Sequence, residues 1–196
     1  MKNTPGISTL ILIFASVLVT SCGSNKKPAE PVVAAPTHEQ IVQRGQYLVT
    51  IMGCNDCHSP KKMGPQGPEV IPETMLSGYP AKRPLEKVSK EALKAGWMLM
   101  NMDLTEAVGP WGASFAANLT SDQTGIGNWA EDNFKRALKE GWFKGLEGTR
   151  KLLPPMPWQN FGPLTDDDIK AIFEYLMSTK PVSNGVPDAL SPEELK

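Results

Sequence analysis

The spacing of apolar residues along the chain predicts amphipathic helices and gives few strand signals. The first helix begins at Thr37, because Thr37 and Gln40 have the form of a capping box, and it ends near Gly53. Its apolar residues, which include Ile41 and Leu48, recur near one side of the helix. This pattern predicts a helix with one face in the core.

Three further amphipathic segments follow. One begins near Ser89, one follows Asn128, and the clearest is capped by Thr165. Pro- and Gly-rich loops separate them, chiefly residues 60–84 and 154–163. The apolar residues at helical spacing are Leu93, Trp97 and Met100 in the second helix, Phe134, Ala137, Leu138 and Gly141 in the third, and Ile169, Ile172, Phe173 and Leu176 in the fourth.

The most specific local feature is the run Cys-Asn-Asp-Cys-His at residues 54–58. Two thiols three positions apart on the first turn of a helix can each add to one vinyl group of a haem. The histidine that follows then points its imidazole at the iron. The motif therefore predicts one covalently attached haem c, held by Cys54 and Cys57, with His58 as an axial metal ligand.

Two other chemistries also use a close pair of cysteines. A zinc site would need two further ligands at suitable spacing, and the chain has no second C-x-x-C or H-x-H. A thioredoxin-like dithiol would need a surrounding βαβ pattern, which the sequence lacks. Haem attachment is therefore the favoured interpretation of the motif.

The N-terminus has the features of an export signal. A basic start is followed by a mostly apolar run at residues 7–19 and by small residues up to Cys22. This stretch resembles a bacterial lipobox, which implies a signal peptide at 1–21, an acylated Cys22 and a flexible tether at 22–37. An ordinary signal peptide with an incidental cysteine is the alternative. The expected location is a bacterial membrane, with the lipid-anchored domain facing the periplasm.

The balance of charge and the number of cysteines argue against nucleic-acid binding and against a disulfide-bonded protein. The chain has 20 basic and 21 acidic residues, a near-balance that argues against nucleic acid as a partner. It has three cysteines, and with two on haem and Cys22 on lipid no thiol remains for a disulfide.

Three short motifs accompany the C-x-x-C-H run: A-A-N-L-T at 116–120, G-I-G-N-W at 125–129 and P-P-M-P at 154–157. Together the four elements resemble the mono-haem class I c-type cytochrome domains of bacteria. The resemblance covers roughly residues 38–182, which leaves 183–196 as a C-terminal tail.

The resemblance implies an all-α class I cytochrome c fold. The chain is longer than the smallest cytochromes of this class, so an insertion is expected between the haem-motif helix and the distal methionine loop, at about residues 63–115. The resemblance also implies that the first and last helices cross at a small residue. The expected contact sets Gly45 and Leu48 against Ile172 and Tyr175.

The second axial position of the iron is expected to take a methionine, because a thioether favours ferrous iron and raises the reduction potential. Met156 lies between two prolines, so its side chain has little conformational freedom to lose, and the resemblance puts the distal metal ligand there too. Met100 and Met102 are the next candidates. His38 lies at the far end of the first helix, roughly 30 Å from the iron.

Further haem contacts are expected from loop residues. A haem-ligating imidazole usually donates its second N–H to a carbonyl oxygen. The resemblance implies that the Gly67-Pro68 segment, with Pro68 as the site residue, supplies this carbonyl, and the Gly64-Pro65 segment is the alternative. Asn118 and Trp129 are expected to wall the haem or to donate to its propionates, although an ordinary core position explains the tryptophan equally well.

These features predict a membrane-tethered periplasmic one-electron carrier and not an enzyme. With histidine and methionine bound the iron is coordinatively full, so a substrate would have to displace Met156. The expected partners are a dehydrogenase, an oxidase or another cytochrome. The alternatives are the cytochrome subunit of a periplasmic dehydrogenase, a peroxidase-like haem enzyme or gas sensor with an open distal site, and a structural lipoprotein.

Overall fold

The computed structural model describes residues 34–85 and 87–195 of the chain. The predicted signal peptide at 1–21, the acylated Cys22 and most of the tether at 22–37 lie outside the described residues.

Five helices occur in the described residues. They are α1 (His38–Ile51), α2 (Cys54–His58), α3 (Lys90–Lys94), α4 (Glu131–Lys135), which continues as a π-helix over Arg136–Glu140, and α5 (Asp166–Ser178). The predicted caps of the two long helices are confirmed: Thr37 forms a capping box on α1, and the Thr165 side chain accepts from the backbone N–H of Asp168 at the start of α5. None of these helices is both long enough and apolar enough to cross a membrane.

The all-α prediction is wrong, because the described part of the chain also contains two antiparallel sheets. The strands β1 (Lys61–Gly64) and β2 (Gly67–Val70) form the first sheet. The strands β3 (Leu99–Met100), β4 (Glu106–Gly109) and β5 (Gly112–Phe115) form the second, in the order β3-β4-β5. Helices and sheets are therefore mixed between residues 61 and 115.

Two Gly-Pro-x-Gly tetrapeptides build the hairpins of these sheets. In each hairpin the two glycines face each other across the ladder, Gly64 opposite Gly67 and Gly109 opposite Gly112. The proline favours the first corner of a turn, and the second glycine takes a positive φ, 128° at Gly67 and 99° at Gly112, that other residues rarely adopt. The turn residues thus fix the register of both hairpins.

The second predicted helix is much shorter than expected. It begins as predicted, because the Ser89 hydroxyl accepts from the backbone N–H of Ala92. It ends at Lys94, and Gly96 then takes a φ of 87°, which turns the chain away from the helix axis. Met100 consequently lies on β3, not on the helix.

The helices α1 and α5 cross at Gly45 and carry much of the core. A Cβ placed on Gly45 would lie 1.8 Å from the carbonyl oxygen of Ala171 and 2.7 Å from the Cβ of Tyr175, so only glycine fits. The predicted contact of Gly45 with Tyr175 is confirmed. The buried cluster around the crossing comprises Leu48, Val49, Leu76, Ile126, Phe134, Leu138, Ile169, Ala171, Ile172, Phe173 and Leu176.

We expect Gly45→Ala to lower the free energy of unfolding by about 1–3 kcal/mol, because the added methyl group forces the two helices apart. A loss of stability would be informative, because alanine in a helix interior ordinarily stabilises a protein by about 1 kcal/mol relative to glycine. Urea denaturation of the two proteins measures the difference. Gly185→Ala is the control, since a Cβ there meets nothing within 4 Å. Equal or higher stability of the Gly45 variant would contradict the close crossing.

Candidate functional site

Helix α2 presents the two cysteines and the histidine of the C-x-x-C-H run. Gly53 joins it to α1 with a φ of 69°, a left-handed conformation that lets the chain leave one helix and start the next. Neither Cys54 nor Cys57 forms a disulfide. Burial is the main cause that raises the pKa of the Cys54 thiol, to about 11, and it raises the pKa of Cys57 as well. Both side chains are therefore protonated thiols near neutral pH.

The imidazole of His58 is buried and held in one orientation. Its Nδ1–H donates to the carbonyl oxygen of Ala117 at 2.8 Å. Since a carbonyl oxygen can only accept, this bond places the proton on Nδ1 and leaves the lone pair of Nε2 available to a metal. Burial also lowers the pKa of His58, so the ring is neutral and suited to ligation.

The prediction that Pro68 supplies this carbonyl is wrong. Pro68 lies on β2, opposite Met63 of β1, and it borders a small cavity of about 140 Å³ together with Met102. The Gly64-Pro65 alternative also fails, because the acceptor is Ala117. Ala117 belongs to the A-A-N-L-T motif, which is recognisable in the sequence. Nothing in the sequence, however, indicates that this motif contacts His58.

Two extended segments hold the backbone around His58. The N–H of Gly78 donates to the carbonyl of His58 at 2.8 Å, and the N–H of Tyr79 donates to the carbonyl of Ala116 at 2.9 Å. Gly78 has a φ of 76°, and a Cβ there would lie 2.3 Å from the Ala116 carbonyl oxygen. A glycine at 78 is thus required for the two segments to approach each other and to place the Ala117 carbonyl against the imidazole.

The prediction that Asn118 walls the haem or donates to a propionate stays a prediction, but its side chain already has other hydrogen-bond partners. Its amide nitrogen donates to the Val182 carbonyl at 2.8 Å and to the Thr124 hydroxyl at 3.1 Å, which uses both amide hydrogens. Its amide oxygen accepts from the backbone and the hydroxyl of Thr120. The side chain therefore ties the segment after α5 to the A-A-N-L-T motif.

Trp129 and Met156 both contact the hydrophobic core. Both are half-buried and pack against the same hydrophobic cluster as Cys54. The loop that carries Met156 is fixed from the sheet, since the Ser114 hydroxyl donates to the Pro154 carbonyl at 2.6 Å. The structure thus brings Cys54, Trp129 and Met156 to one cluster.

The other candidate ligands lie elsewhere in the described residues. Met102 is 70% exposed, and Met100 lines a cavity with it that contains neither Cys54 nor His58. His38 is exposed, with Nε2 3.3 Å from a carboxylate oxygen of Glu174 at the surface. Within residues 34–85 and 87–195, no three His, Cys, Asp or Glu side chains cluster closely enough to share a metal ion.

A side chain of the predicted tail, Asn184, also contributes to the site. Its amide nitrogen donates to the carbonyls of Ser77 and Tyr79 at 2.7 and 2.9 Å, and its amide oxygen accepts from the N–H of Ala81 at 2.9 Å. These bonds fix the segment that contacts the backbone of His58. The sequence gives no sign of this role, because no local pattern marks an asparagine after a terminal helix as a bridge to a distant loop.

The residues present fit a c-type haem. The thiols lie on one short helix, the neutral imidazole has its Nε2 available, and a thioether lies on the apolar cluster that borders Cys54. Imidazole and thioether are the axial donors that c-type haem iron takes in electron-transfer proteins.

Comparisons with known proteins give the same indication. The chain is 27% identical over 187 residues to the fructose dehydrogenase cytochrome subunit of Gluconobacter japonicus, covering 94% of this chain and 29% of that protein. It is 29% identical over 167 residues to the cytochrome c subunit of the alcohol dehydrogenase (quinone) of Gluconobacter oxydans (strain 621H), covering 83% and 27%. It is 26% identical over 154 residues to the gluconate 2-dehydrogenase cytochrome c subunit of Pantoea cypripedii, covering 78% and 26%.

The comparisons support a c-type cytochrome domain. The chain spans less than a third of the length of these relatives, so the similarity concerns one part of each. No family model matches the chain.

We expect Asn184→Ala to destabilise the protein by about 1–3 kcal/mol, because the backbone carbonyls of the buried residues Ser77 and Tyr79 lose their hydrogen-bond donor. Urea denaturation followed by tryptophan fluorescence measures the change. Ser183→Ala is the matched control, since Ser183 is the exposed neighbour in the same segment. Indistinguishable unfolding midpoints for the two variants would show that the bridge adds nothing.

Proposed function

We propose that the chain is an electron-transfer module with one haem c, attached covalently through Cys54 and Cys57 and ligated by His58 and Met156. The observation that carries the proposal is the hydrogen bond from His58 Nδ1 to Ala117, which leaves Nε2 of a neutral, buried imidazole for the iron. The two thiols on the same five-residue helix supply the attachment points. The relatives, which are cytochrome c subunits, support the same cofactor.

The bound haem supplies a one-electron couple, and the protein's own residues set its surroundings. The thiols anchor the cofactor, and the Ala117 carbonyl holds the imidazole ring in place. Met156, which packs against the hydrophobic cluster, contributes a thioether that favours ferrous iron. No proton has to move in such a function, which agrees with an imidazole whose Nδ1 proton is already committed to a carbonyl.

We further propose that the module serves a dehydrogenase as its cytochrome subunit, or as part of one. The relatives favour this over a free-standing carrier, because they are cytochrome subunits of fructose, alcohol and gluconate dehydrogenases. In this function the chain receives electrons from a catalytic partner and passes them to an acceptor such as an oxidase or another cytochrome. The substrate of that partner is a property of the partner and not of this site.

Ligation of the iron by both His58 and Met156 predicts a weak far-red thioether-to-iron absorption band in the ferric holoprotein. We expect Met156→Ala to abolish the band and to lower the reduction potential, because the iron loses its soft sixth ligand. Met102→Ala is the control, since Met102 is exposed. In all three proteins the pigment should stay with the chain after denaturation, as thioether bonds require.

Two outcomes would contradict the proposal in different ways. Pigment that separates from denatured wild-type protein would exclude covalent attachment. A wild-type ferric protein without the far-red band and with a high-spin spectrum would favour the haem enzyme or gas sensor, in which the distal position is open.

We also propose export and lipid anchoring through Cys22, on the grounds of the lipobox-like sequence. Covalent haem attachment takes place, in the bacterial systems that the motif resembles, on the same side of the inner membrane as lipoprotein processing. We expect Cys22→Ala to move the protein from the membrane pellet to the soluble periplasmic fraction, while Cys57→Ala leaves it in the pellet. Continued sedimentation of the Cys22 variant would contradict the anchor.

A further inference from the structure

The Lys61 ammonium group is fixed by backbone oxygens. Its Nζ donates to the carbonyls of Asp56 at 2.5 Å, Ser59 at 3.1 Å and Asp103 at 2.8 Å. An ammonium group has three N–H donors, so each has an acceptor, and each acceptor is a neutral backbone oxygen. The charge is therefore held in one position.

This position lies against the end of α2 that carries His58. Two of the three acceptors, Asp56 and Ser59, flank the Cys57-His58 pair in the sequence. The last carbonyls of a helix have no partner within the helix, and a cation near them is favourable. Lys61 also joins β1 to the loop at Asp103, which fixes α2 relative to both.

The charge of Lys61 affects the pKa values of His58 and Cys57. Burial is the largest cause of the lowered pKa of His58, and the charge of Lys61 lowers it further. At Cys57 burial raises the pKa, and the charge of Lys61 opposes that effect, whereas the carboxylate of Asp56 adds to it. Lys61 thus lies within electrostatic reach of both residues.

The other charged groups beside Lys61 line a cavity of about 520 Å³ with it: Arg83, Lys87, Asp103 and Glu106. Arg83 and Asp103 pair with each other through bonds of 2.7 and 2.9 Å. Burial alone would raise the pKa of Asp103, but hydrogen bonds from Arg83 and Thr105 outweigh it and lower the pKa to about 2. Asp103 therefore stays charged and is balanced by Arg83, so loss of Lys61 would remove one positive charge from this region.

We propose that Lys61 is a positioning residue whose fixed positive charge raises the reduction potential of the haem. The inference rests on the proposed attachment of haem c at α2. Reduction adds one electron to the iron and no proton. A cation held near the axial histidine stabilises the reduced state, which carries one positive charge fewer. The acceptors of the Lys61 Nζ are neutral backbone oxygens, so no carboxylate among them neutralises its charge.

Four holoproteins test the inference: wild type, Lys61→Gln, Lys61→Arg and Lys62→Gln. Glutamine removes the charge but keeps N–H donors for the carbonyls, and arginine keeps the charge. Lys62 is the matched control, because it is the next residue of β1 and is exposed. Spectroelectrochemical titration gives the ratio of ferric to ferrous protein at a fixed applied potential.

We expect Lys61→Gln to shift this ratio toward the ferric form by about 3–10-fold, as expected for loss of one partly buried charge near the iron. Lys61→Arg and Lys62→Gln should stay within about 2-fold of wild type, since both keep the charge beside α2. The effect at Lys61 should persist at 0.5 M salt, because salt screens partly buried charges much less than exposed ones.

Equal ratios for Lys61→Gln and Lys62→Gln would overturn the inference. So would an equal shift in Lys61→Arg and Lys61→Gln, which would assign the effect to disturbed hydrogen bonds and not to charge. The far-red band of each variant shows whether the axial ligation is intact. Wild-type protein without covalent haem would refute the proposed function and the inference with it, whereas haem-bearing wild type with an unshifted Lys61→Gln refutes the inference alone.

Discussion

The hydrogen bond from His58 to the Ala117 carbonyl is the contact on which the rest of the site depends. It fixes the tautomer and the plane of the imidazole, and it requires two chain segments to lie side by side. Gly78 permits that approach, and Asn184 holds the segment of Gly78 from the other side. A short helix with a haem-binding motif thus becomes a site only because residues far apart in the sequence support one carbonyl oxygen.

The elements that the sequence predicts correctly are those with local causes. Helices α1 and α5 have side-chain caps at Thr37 and Thr165 and clear apolar stripes, so each is specified within its own residues. The second sheet is hard to recognise in the sequence because β4 is buried at every position and so shows no alternation of polar and apolar residues. The two Gly-Pro-x-Gly turns were the available signal, and they predict hairpins better than the strands do.

The residues of the site likewise divide into those with a local sequence signal and those without one. The contiguous motif makes Cys54, Cys57 and His58 candidates without any structure, whereas the carbonyl that binds His58 lies 59 residues away and has no side-chain signature. The sequence therefore could not distinguish Ala117 from Pro68. Asn118 was chosen for its chemistry, and the structure uses that chemistry to hold the chain after α5. Polar side chains in loops are predictable as hydrogen-bond formers, but their partners depend on the tertiary fold.

The two sides of α2 have different physical characters, and this difference bears on electron transfer. Cys54 packs against the apolar cluster that Met156 also contacts. Lys61 lies on the polar side, where a cation is held by backbone carbonyls and lies next to a paired Arg83 and Asp103. Rigid surroundings require little reorganisation when one electron is added, and a fixed charge then biases the equilibrium without moving. The same site would serve a free carrier or a dehydrogenase subunit equally well, so the distinction between them lies in the partner that docks and not in the haem environment.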